Sequence, residues 1–303
     1  MSKSNKVNCF LVGGPKCGTT AMVAHLKSHE SVFISEPKEC NFFLEDMPEM
    51  KYARNLKEYH ALFGQFKSTH LAYMDASILY LHSEDALKAI YEYNKDAKII
   101  AMLRDPMEMA YSFHSQISYT LDEDIADFEQ AWDLEQSRRQ GKNIPKNCRS
   151  TRLLFYSEVA KYYEQLQRVY KYFPEDQVRV ILFDDFKTSN LVAYKELLEF
   201  INVPYDGKID FPRVNEAKKA KNKLINKFVN RPPKFLKAIA RLILKLVNKP
   251  RFGILERIDK LNRDKDLRQE LSMEMKVKIQ NAYTQDVNQL SKLINRDLSH
   301  WLN

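Results

Sequence analysis

A glycine-rich stretch near the start of the chain has the residue types that bind an anion. Residues 13–20 have the sequence GGPKCGTT, with glycine at the first, second and sixth positions and threonine at the last two. The stretch follows an apolar run and opens a segment with helical periodicity, so the amides of residues 17–20 would face an anion at a helix N-terminus. The hydroxyl groups of Thr19 and Thr20 and the charge of Lys16 would add to that site.

The position of the lysine bears on which anion this loop would hold. A nucleoside triphosphatase has lysine directly after the second glycine of the motif, where this chain has Thr19. It also needs an acid near the end of a later strand to hold magnesium, and Asp184 or Asp185 would match that place. Because the lysine is missing, the pattern favours an anion with less charge than a triphosphate, bound without a metal. A nucleotide kinase or NTPase is the alternative enzyme class.

Arg104 forms a second predicted anion-binding point. It lies in the apolar run at 98–105 and precedes Asp105 and Pro106. Proline is favoured as the first residue of a helix, so Arg104 should stand between a strand and a helix. Because the carboxyl ends of parallel strands meet at the same edge of a sheet, we expect this guanidinium close to the glycine loop. Two separated cationic points suit a nucleotide with separated phosphates.

The elements that must position these residues alternate along the chain. Apolar runs predict strands at 7–13, 32–35, 70–76, 98–105 and 178–186. Helical periodicity predicts helices at 19–28, 83–93, 106–120, 151–173 and 191–201. Continuous apolar strands are typical of a parallel sheet covered by helices. We predict one α/β domain over 1–303, with an α/β core at 1–214 and a helical, basic elaboration at 215–303 that contains no strands.

Several motifs resemble those of sulfotransferases that use 3′-phosphoadenosine 5′-phosphosulfate (PAPS), and are most similar to the bacterial and carbohydrate-type branch. The stretches are GGPKCGTTAM, SEPKECNFF, KIIAMLRDPMEMAYSFH, DDFKTSNLVAYKELLEFINVP and the closing LSHW. The resemblance covers nearly the whole chain. It implies a central parallel sheet with a P-loop-like turn that binds the phosphosulfate. It also implies transfer of a sulfuryl group from PAPS to a hydroxyl or amine without a metal, with 3′,5′-ADP as the product.

The resemblance assigns roles to individual residues. Lys16 would stabilise the leaving phosphate, and Lys38 would contact the sulfuryl group or the leaving oxygen. Glu39 would act as the general base, with Glu36 as the competing acid. The residues that would bind the donor are Gly14, Pro15, Lys16, Cys17, Gly18, Thr19, Thr20, Arg104 and Ser112.

Three further residues are predicted on the acceptor side. Asp75 and Ser77 stand at the end of the apolar run at 70–76, which should reach the same sheet edge as the glycine loop. A role in capping the strand end would explain these two equally well. His114 follows Ser112 by two residues and is the one histidine kept as a candidate. We expect the acceptor to be a carbohydrate or another small metabolite.

Basic charge is concentrated late in the chain. The net charge is +8, and residues 216–265 contain sixteen lysine and arginine residues against four acidic ones. Residues 232–250 have the periodicity of a helix with one apolar and one basic side. That helix would be a lid over an acidic or lipid-linked acceptor, a contact with an anionic membrane, or a solvated face. A peripheral membrane or polyanion-binding module is the non-enzymatic alternative, whereas no recognised nucleic-acid-binding module accompanies the charge.

Composition favours a cytoplasmic protein with reduced thiols. The four cysteines, at positions 9, 17, 40 and 148, form no C-x-x-C pair, so structural zinc is not expected. No run of about 18 apolar residues predicts a membrane span. The start of the chain lacks the small-residue cleavage site of a signal peptide.

Overall fold

The computed structural model describes residues 6–212 except 65, 66 and 68, two short strands at 218–220 and 263–265, and residues 270–302. The strands are β1 (Cys9–Gly13), β2 (Val32–Ile34), β3 (Ala72–Asp75), β4 (Lys98–Leu103), β5 (Val178–Leu182), β6 (Lys218–Ala220) and β7 (Arg263–Lys265). The described helices are α1 (Thr19–Leu26), α2 (Leu56–Ala61), α3 (Ala86–Tyr93), α4 (Pro106–Tyr119), α5 (Phe128–Asp133), α6 (Glu135–Arg139), α7 (Tyr156–Val159), α8 (Tyr162–Tyr172), α9 (Phe183–Thr188), α10 (Asn190–Phe200) and α11 (Met273–Leu293). Within this part of the chain, no helix is both long and apolar enough to cross a bilayer.

Five parallel strands form one sheet in the order β2-β3-β1-β4-β5. Strand β1 lies in the middle, where Phe10 pairs with Asp75 of β3 on one side and with Ile99 of β4 on the other. Every residue of β1 and five of the six residues of β4 are buried. Burial of both faces is what the continuous apolar runs predict, because such strands need helices on each side. The predicted α/β fold with a central parallel sheet is confirmed.

The predicted end of the fifth strand was wrong. We expected a strand over 178–186, but β5 ends at Leu182 and α9 begins at Phe183. Asp184 and Asp185 lie in the first turn of α9, where acidic side chains interact favourably with the positive end of the helix dipole. Local charge therefore favours a helix where the apolar pattern alone predicts more strand.

The long helix predicted at 151–173 is divided into three pieces. A 3₁₀ turn at Thr151–Leu154 is followed by α7 and then, after Lys161, by α8. The side-chain amide of Gln165 donates hydrogen bonds of 3.2 Å to the carbonyl oxygens of Glu158 and Val159. These bonds satisfy carbonyl groups at the end of α7, which compensates for the interruption.

The described residues divide into two compact units. The first contains the five-stranded sheet and residues 6–110, 156–212 and 272–302, and the second contains residues 111–155 with β6 and β7. Because β6 and β7 form an antiparallel pair, the prediction that strands stop after residue 214 was wrong, although α11 is helical as expected. The basic helix predicted at 232–250 lies outside the described residues. A single domain over the whole chain stays a prediction.

Within the first unit, helix α11 is held to α8 by a carboxylate at the N-terminus of α8. Asp286 of α11 accepts hydrogen bonds from the backbone amides of Tyr163 (3.0 Å) and Glu164 (3.4 Å), which begin α8. One turn earlier in α11, the Tyr283 hydroxyl donates to the carbonyl of Tyr156. Burial raises the pKa of Asp286 from its usual value near 3.8 to about 6, although the two amides act in the opposite direction. The ionised carboxylate is therefore less favourable in the folded protein than in the unfolded chain.

Asp286→Asn should remove a pH-dependent loss of stability. In the wild type, the contribution of Asp286 to the free energy of unfolding is fully present below about pH 4. It declines as the pH rises from about 4 through 6, by up to about 3 kcal/mol in total. The asparagine variant should therefore have the larger free energy of unfolding at pH 7.5, and the advantage should vanish near pH 4. Urea denaturation at both pH values measures this. The exposed Asp210→Asn is the control for net charge, and equal responses of the two variants would contradict the assignment.

Candidate active site

The carboxyl ends of neighbouring parallel strands bring the predicted site residues to one edge of the sheet. The glycine loop follows β1, the loop with Lys38 and Glu39 follows β2, and Arg104 follows β4. Asp75 is the last residue of β3, between the first two of these loops. This edge is the usual place for ligands in an open α/β sheet. The prediction that Arg104 lies one strand away from the glycine loop is confirmed.

The glycine loop makes a close turn into α1. Gly18 has a φ angle of +84° and immediately precedes Thr19, the first residue of the helix. A Cβ atom on Gly18 would lie 2.9 Å from the ring of Phe183, so the position excludes other side chains both by conformation and by space. Among the described residues, no side chain caps the first turn of α1. The amides of that turn are therefore oriented as in a helix N-terminus that can bind an anion.

Lys38 connects the glycine loop to the loop after β2. Its ammonium nitrogen lies 3.4 Å from the hydroxyl of Thr19, 3.2 Å from that of Thr20 and 3.2 Å from Oε1 of Glu39. The Lys38 side chain is 18% exposed and that of Glu39 is 33% exposed. A cation, two hydroxyl groups and a carboxylate thus meet at the N-terminus of α1. The structure thus brings together four residues that the sequence analysis selected in two separate motifs, Thr19 and Thr20 in the glycine loop and Lys38 and Glu39 in the loop after β2.

The two candidate bases have different surroundings. Glu36 is 71% exposed and forms an ion pair of 2.7 Å with Lys27, near the end of α1. Glu39 instead lies beside Lys38, and its φ angle of +65° is in the left-handed region. A residue other than glycine is disfavoured there by about 1–3 kcal/mol, so the surrounding structure must hold it. This geometry favours Glu39 over Glu36 as the residue at the site.

Arg104 is positioned from three directions. Its Nη1 donates to the carbonyl of Lys16 at 3.3 Å, its Nε donates to Glu108 at 2.9 Å, and its guanidinium lies 4.9 Å from the centre of the Phe183 ring. Lys16, whose carbonyl accepts this bond, has a φ angle of +61°, in the left-handed region. Pro106 begins α4 directly after this arginine, as predicted. A rigid, planar cation beside the glycine loop suits a phosphate group.

Cys17 takes part in the loop through its backbone. Its side chain is fully buried, with Sγ 3.3 Å from the carbonyl of Pro15 and 3.6 Å from the hydroxyl of Tyr162. Burial raises the pKa of this thiol to about 12, so the group stays neutral. The predicted contact of Cys17 with the sulfuryl donor therefore depends on its backbone amide.

Asp75 and Ser77 form a buried, hydrogen-bonded pair. Both side chains are fully buried, and the Ser77 hydroxyl donates to Oδ1 of Asp75 at 2.6 Å. Burial raises the pKa of Asp75, an effect that the hydrogen bonds from its neighbours oppose. This burial gives no support to the predicted contact with the acceptor, which stays a prediction.

Ser112 and His114 lie on α4 in the second unit, and both side chains are buried. The His114 ring nitrogen Nε2 is 2.9 Å from the carbonyl of Ile125, and its ring packs 5.4 Å from that of Phe128. Burial lowers the pKa of His114, although the bond to Ile125 acts in the opposite direction. That Ser112 contacts the sulfuryl donor and that His114 contacts the sulfuryl acceptor stay predictions.

The sequence analysis missed the packing of α9 against the site. Phe183 contacts both Gly18 and Arg104, and the next residue, Asp184, accepts a hydrogen bond of 3.0 Å from the indole of Trp301. Asp185 forms an ion pair of 2.8 Å with Arg296. The two acids considered as magnesium ligands thus stand in a helix, with partners from the C-terminal segment. The DDF and LSHW motifs were the sequence signal for this contact. It could not be predicted from them, because the two motifs meet only in the folded chain.

Comparison with known proteins identifies the family. Residues 6–238 match the family model described as the sulfotransferase domain. Because the match covers most of the chain, the protein belongs to the sulfotransferase domain family, which is a family of enzymes. The resemblance inferred from the motifs is confirmed at this level.

Individual relatives agree with the family. The chain is 24% identical over 204 residues to heparan sulfate glucosamine 3-O-sulfotransferase 5 of Mus musculus, a match that covers 64% of this chain and 53% of the relative. It is 30% identical over 204 residues to the bifunctional heparan sulfate N-deacetylase/N-sulfotransferase 3 of the same species, covering 64% and 22%. The match thus spans about half the length, or less, of these curated relatives. A sulfotransferase structure from Alicyclobacillus acidocaldarius shares the fold, with a TM-score of 0.71, 22% identity, and coverage of 98% of this chain and 99% of that one.

Arg104→Ala should weaken the binding of 3′,5′-ADP about ten- to a hundredfold, since a hydrogen bond to a charged group contributes about 1.5–3 kcal/mol. The affinity for 5′-AMP should change much less, because that nucleotide lacks the 3′-phosphate. Calorimetric titration of both nucleotides measures the difference. Arg179→Ala is the control, because Arg179 pairs with Glu196 away from the loop. The resemblance to sulfotransferases assigns the element that begins at Arg104 to the 3′-phosphate, and equal losses for the two nucleotides would contradict that assignment.

Proposed function

We propose that the protein transfers the sulfuryl group of PAPS to an acceptor hydroxyl or amine. The observation that carries the proposal is the contact of Lys38 with Thr19, Thr20 and Glu39. It combines an anion-binding helix N-terminus, a cation and a carboxylate within one cluster. Sulfotransferases in general use PAPS, and the residues that form the cluster suit a phosphosulfate group.

The donor would bind with its two anionic ends at neighbouring strands. The 5′-phosphosulfate would lie at the N-terminus of α1, on the amides and hydroxyls of residues 17–20. The 3′-phosphate would bind Arg104, whose orientation is fixed by Phe183 and by the carbonyl of Lys16. Such fixed positions lower the entropic cost of bringing donor and acceptor together.

The chemistry requires charge stabilisation on one side and proton removal on the other. As the bond between sulfur and the bridging phosphate oxygen breaks, negative charge grows on that oxygen, and a cation next to it lowers the barrier. Lys16 and Lys38 would supply this charge. The acceptor oxygen or nitrogen forms the new bond to sulfur, and its proton would pass to the Glu39 carboxylate.

The acceptor is proposed to be a carbohydrate. Two of the relatives named above are described as acting on heparan sulfate, one of them on its glucosamine. The basic segment at 216–265 would favour an acidic or lipid-linked acceptor, but it lies largely outside the described residues, as does any membrane contact made through it. Labelled PAPS incubated with glucosamine-containing polysaccharides, lipids and small phenols identifies the class. A cytoplasmic location likewise stays a prediction, which fractionation of the source cells tests.

Turnover should persist in EDTA, because lysine side chains and backbone amides supply the charge that a metal ion supplies in nucleotide kinases. The measurement is conversion of PAPS to 3′,5′-ADP, which reports transfer to any acceptor, including water. The matched sample contains magnesium in place of EDTA, and the two rates should agree. A loss of turnover in EDTA that magnesium restores would favour the kinase or NTPase alternative instead.

Glu39→Gln should lower kcat by roughly a hundred- to ten-thousandfold while the affinity for 3′,5′-ADP stays the same. Glutamine can accept a hydrogen bond from the acceptor and from Lys38, but it cannot take a proton. Steady-state kinetics and calorimetric titration of the nucleotide separate the two effects.

Glu36→Gln is the matched control, since Glu36 lies three residues away on the same loop and pairs with Lys27. It should leave kcat within about twofold. If Glu36→Gln produced the large defect and Glu39→Gln did not, Glu36 would be the base. If neither variant lost turnover, the proton acceptor would lie elsewhere.

A further inference from the structure

The loop after β2 has an unusual backbone that its own sequence does not explain. Glu39 and Asn41 have φ angles of +65° and +53°, both in the left-handed region, and neither is glycine. The direction in which the Glu39 side chain leaves the loop depends on this backbone. Asparagine tolerates this region, but glutamate seldom adopts it unaided, so contacts from outside the loop must stabilise the backbone at Glu39.

Two buried hydroxyl groups hold the loop by its amides. The amide of Asn41 donates to the hydroxyl of Ser77 at 3.0 Å, and the amide of Phe43 donates to the hydroxyl of Tyr80 at 3.3 Å. Both hydroxyls belong to the segment that follows β3. The thiol of Cys40, between Glu39 and Asn41, also lies 3.7 Å from the Ser77 hydroxyl.

A single carboxylate orients both hydroxyls. Ser77 donates to Oδ1 of Asp75 at 2.6 Å, and Tyr80 donates to Oδ2 of Asp75 at 2.8 Å. Each hydroxyl has one proton, and once that proton is given to Asp75 the oxygen can only accept from the loop amide. All three side chains are fully buried, where a hydrogen bond is electrostatically stronger than in water.

We propose that Asp75 is a positioning residue for Glu39 and acts through Ser77 and Tyr80. The proposal rests on the proposed role of Glu39 as general base and extends it to residues that touch neither donor nor acceptor. The carboxylate at the end of β3 fixes two hydroxyls, the hydroxyls fix two amides of the loop, and the loop directs Glu39 toward the cluster formed with Lys38. Asp75 and Ser77, expected from the sequence to contact the acceptor, thus serve the same reaction from inside the protein.

The structure provides a matched control in Tyr59. Its hydroxyl donates to the same Oδ2 of Asp75, at 3.1 Å, and its side chain is also fully buried. Its ring stacks on that of Phe42 with centres 4.6 Å apart, a contact that Tyr59→Phe keeps. Tyr59→Phe therefore removes a hydrogen bond to Asp75 without removing an acceptor for a loop amide.

The test compares Tyr80→Phe and Ser77→Ala with Tyr59→Phe. The first two should lower the kcat for conversion of PAPS to 3′,5′-ADP by tenfold or more, with the Kd of 3′,5′-ADP within twofold of wild type. Tyr59→Phe should leave kcat within twofold, although urea denaturation should show a loss of stability similar to that of Tyr80→Phe. Unchanged kcat in Tyr80→Phe and Ser77→Ala would overturn the proposal, and so would an equal loss in Tyr59→Phe.

A double variant separates this proposal from the assignment of the base. If Tyr80 acts through Glu39, then Tyr80→Phe should lower kcat tenfold or more in the wild-type background but less than twofold in the Glu39→Gln background. Equal losses in both backgrounds would overturn the positioning role. A failure of the base assignment has a different signature, because Glu39→Gln alone would then keep the wild-type kcat.

Discussion

The parallel order of the central sheet is the constraint on which the site depends. Strand β1 is flanked by β3 and β4, so the glycine loop has the loop of β2 within reach on one side and Arg104 on the other. These segments are far apart in sequence, yet parallel pairing brings all of their carboxyl ends to one edge. The residues proposed to bind the two phosphate groups and to act as the base thus all follow strands of one sheet. The pairing of those strands sets their relative positions.

Much of this arrangement could be predicted, because the sequence signals for its strands, for the glycine turn and for the start of α4 are local. A strand buried on both faces needs an unbroken apolar run, and residues 99–103 of β4 form one. A loop that enters a helix without a side-chain cap needs a residue that tolerates a positive φ angle, and Gly18 provides it. Pro106 marks the start of α4 for an equally local reason, since its ring fixes φ near the helical value.

The sequence does not predict contacts that form only after the chain has folded. The apolar run at 178–186 predicts strand throughout, and the packing of Phe183 against Gly18 and Arg104, which accompanies the turn into a helix there, is a tertiary contact. Asp75 has the residue type and the strand-end position of a substrate contact. It is instead buried and accepts hydrogen bonds from the hydroxyl groups of Tyr59 and Tyr80, which no spacing rule connects to it.

The pairing of Arg104 with Glu108 has a consequence for anion selectivity. The guanidinium is already neutralised by a carboxylate one helical turn away, and that carboxylate is 61% exposed and can swing into solvent. An incoming anion must compete with this built-in counter-ion. A singly charged anion such as chloride offers the arginine no more charge than Glu108 does, whereas a phosphate dianion offers more. If Arg104 binds the proposed 3′-phosphate, Glu108 would therefore discourage occupation of the arginine by the common monovalent anions of the solvent.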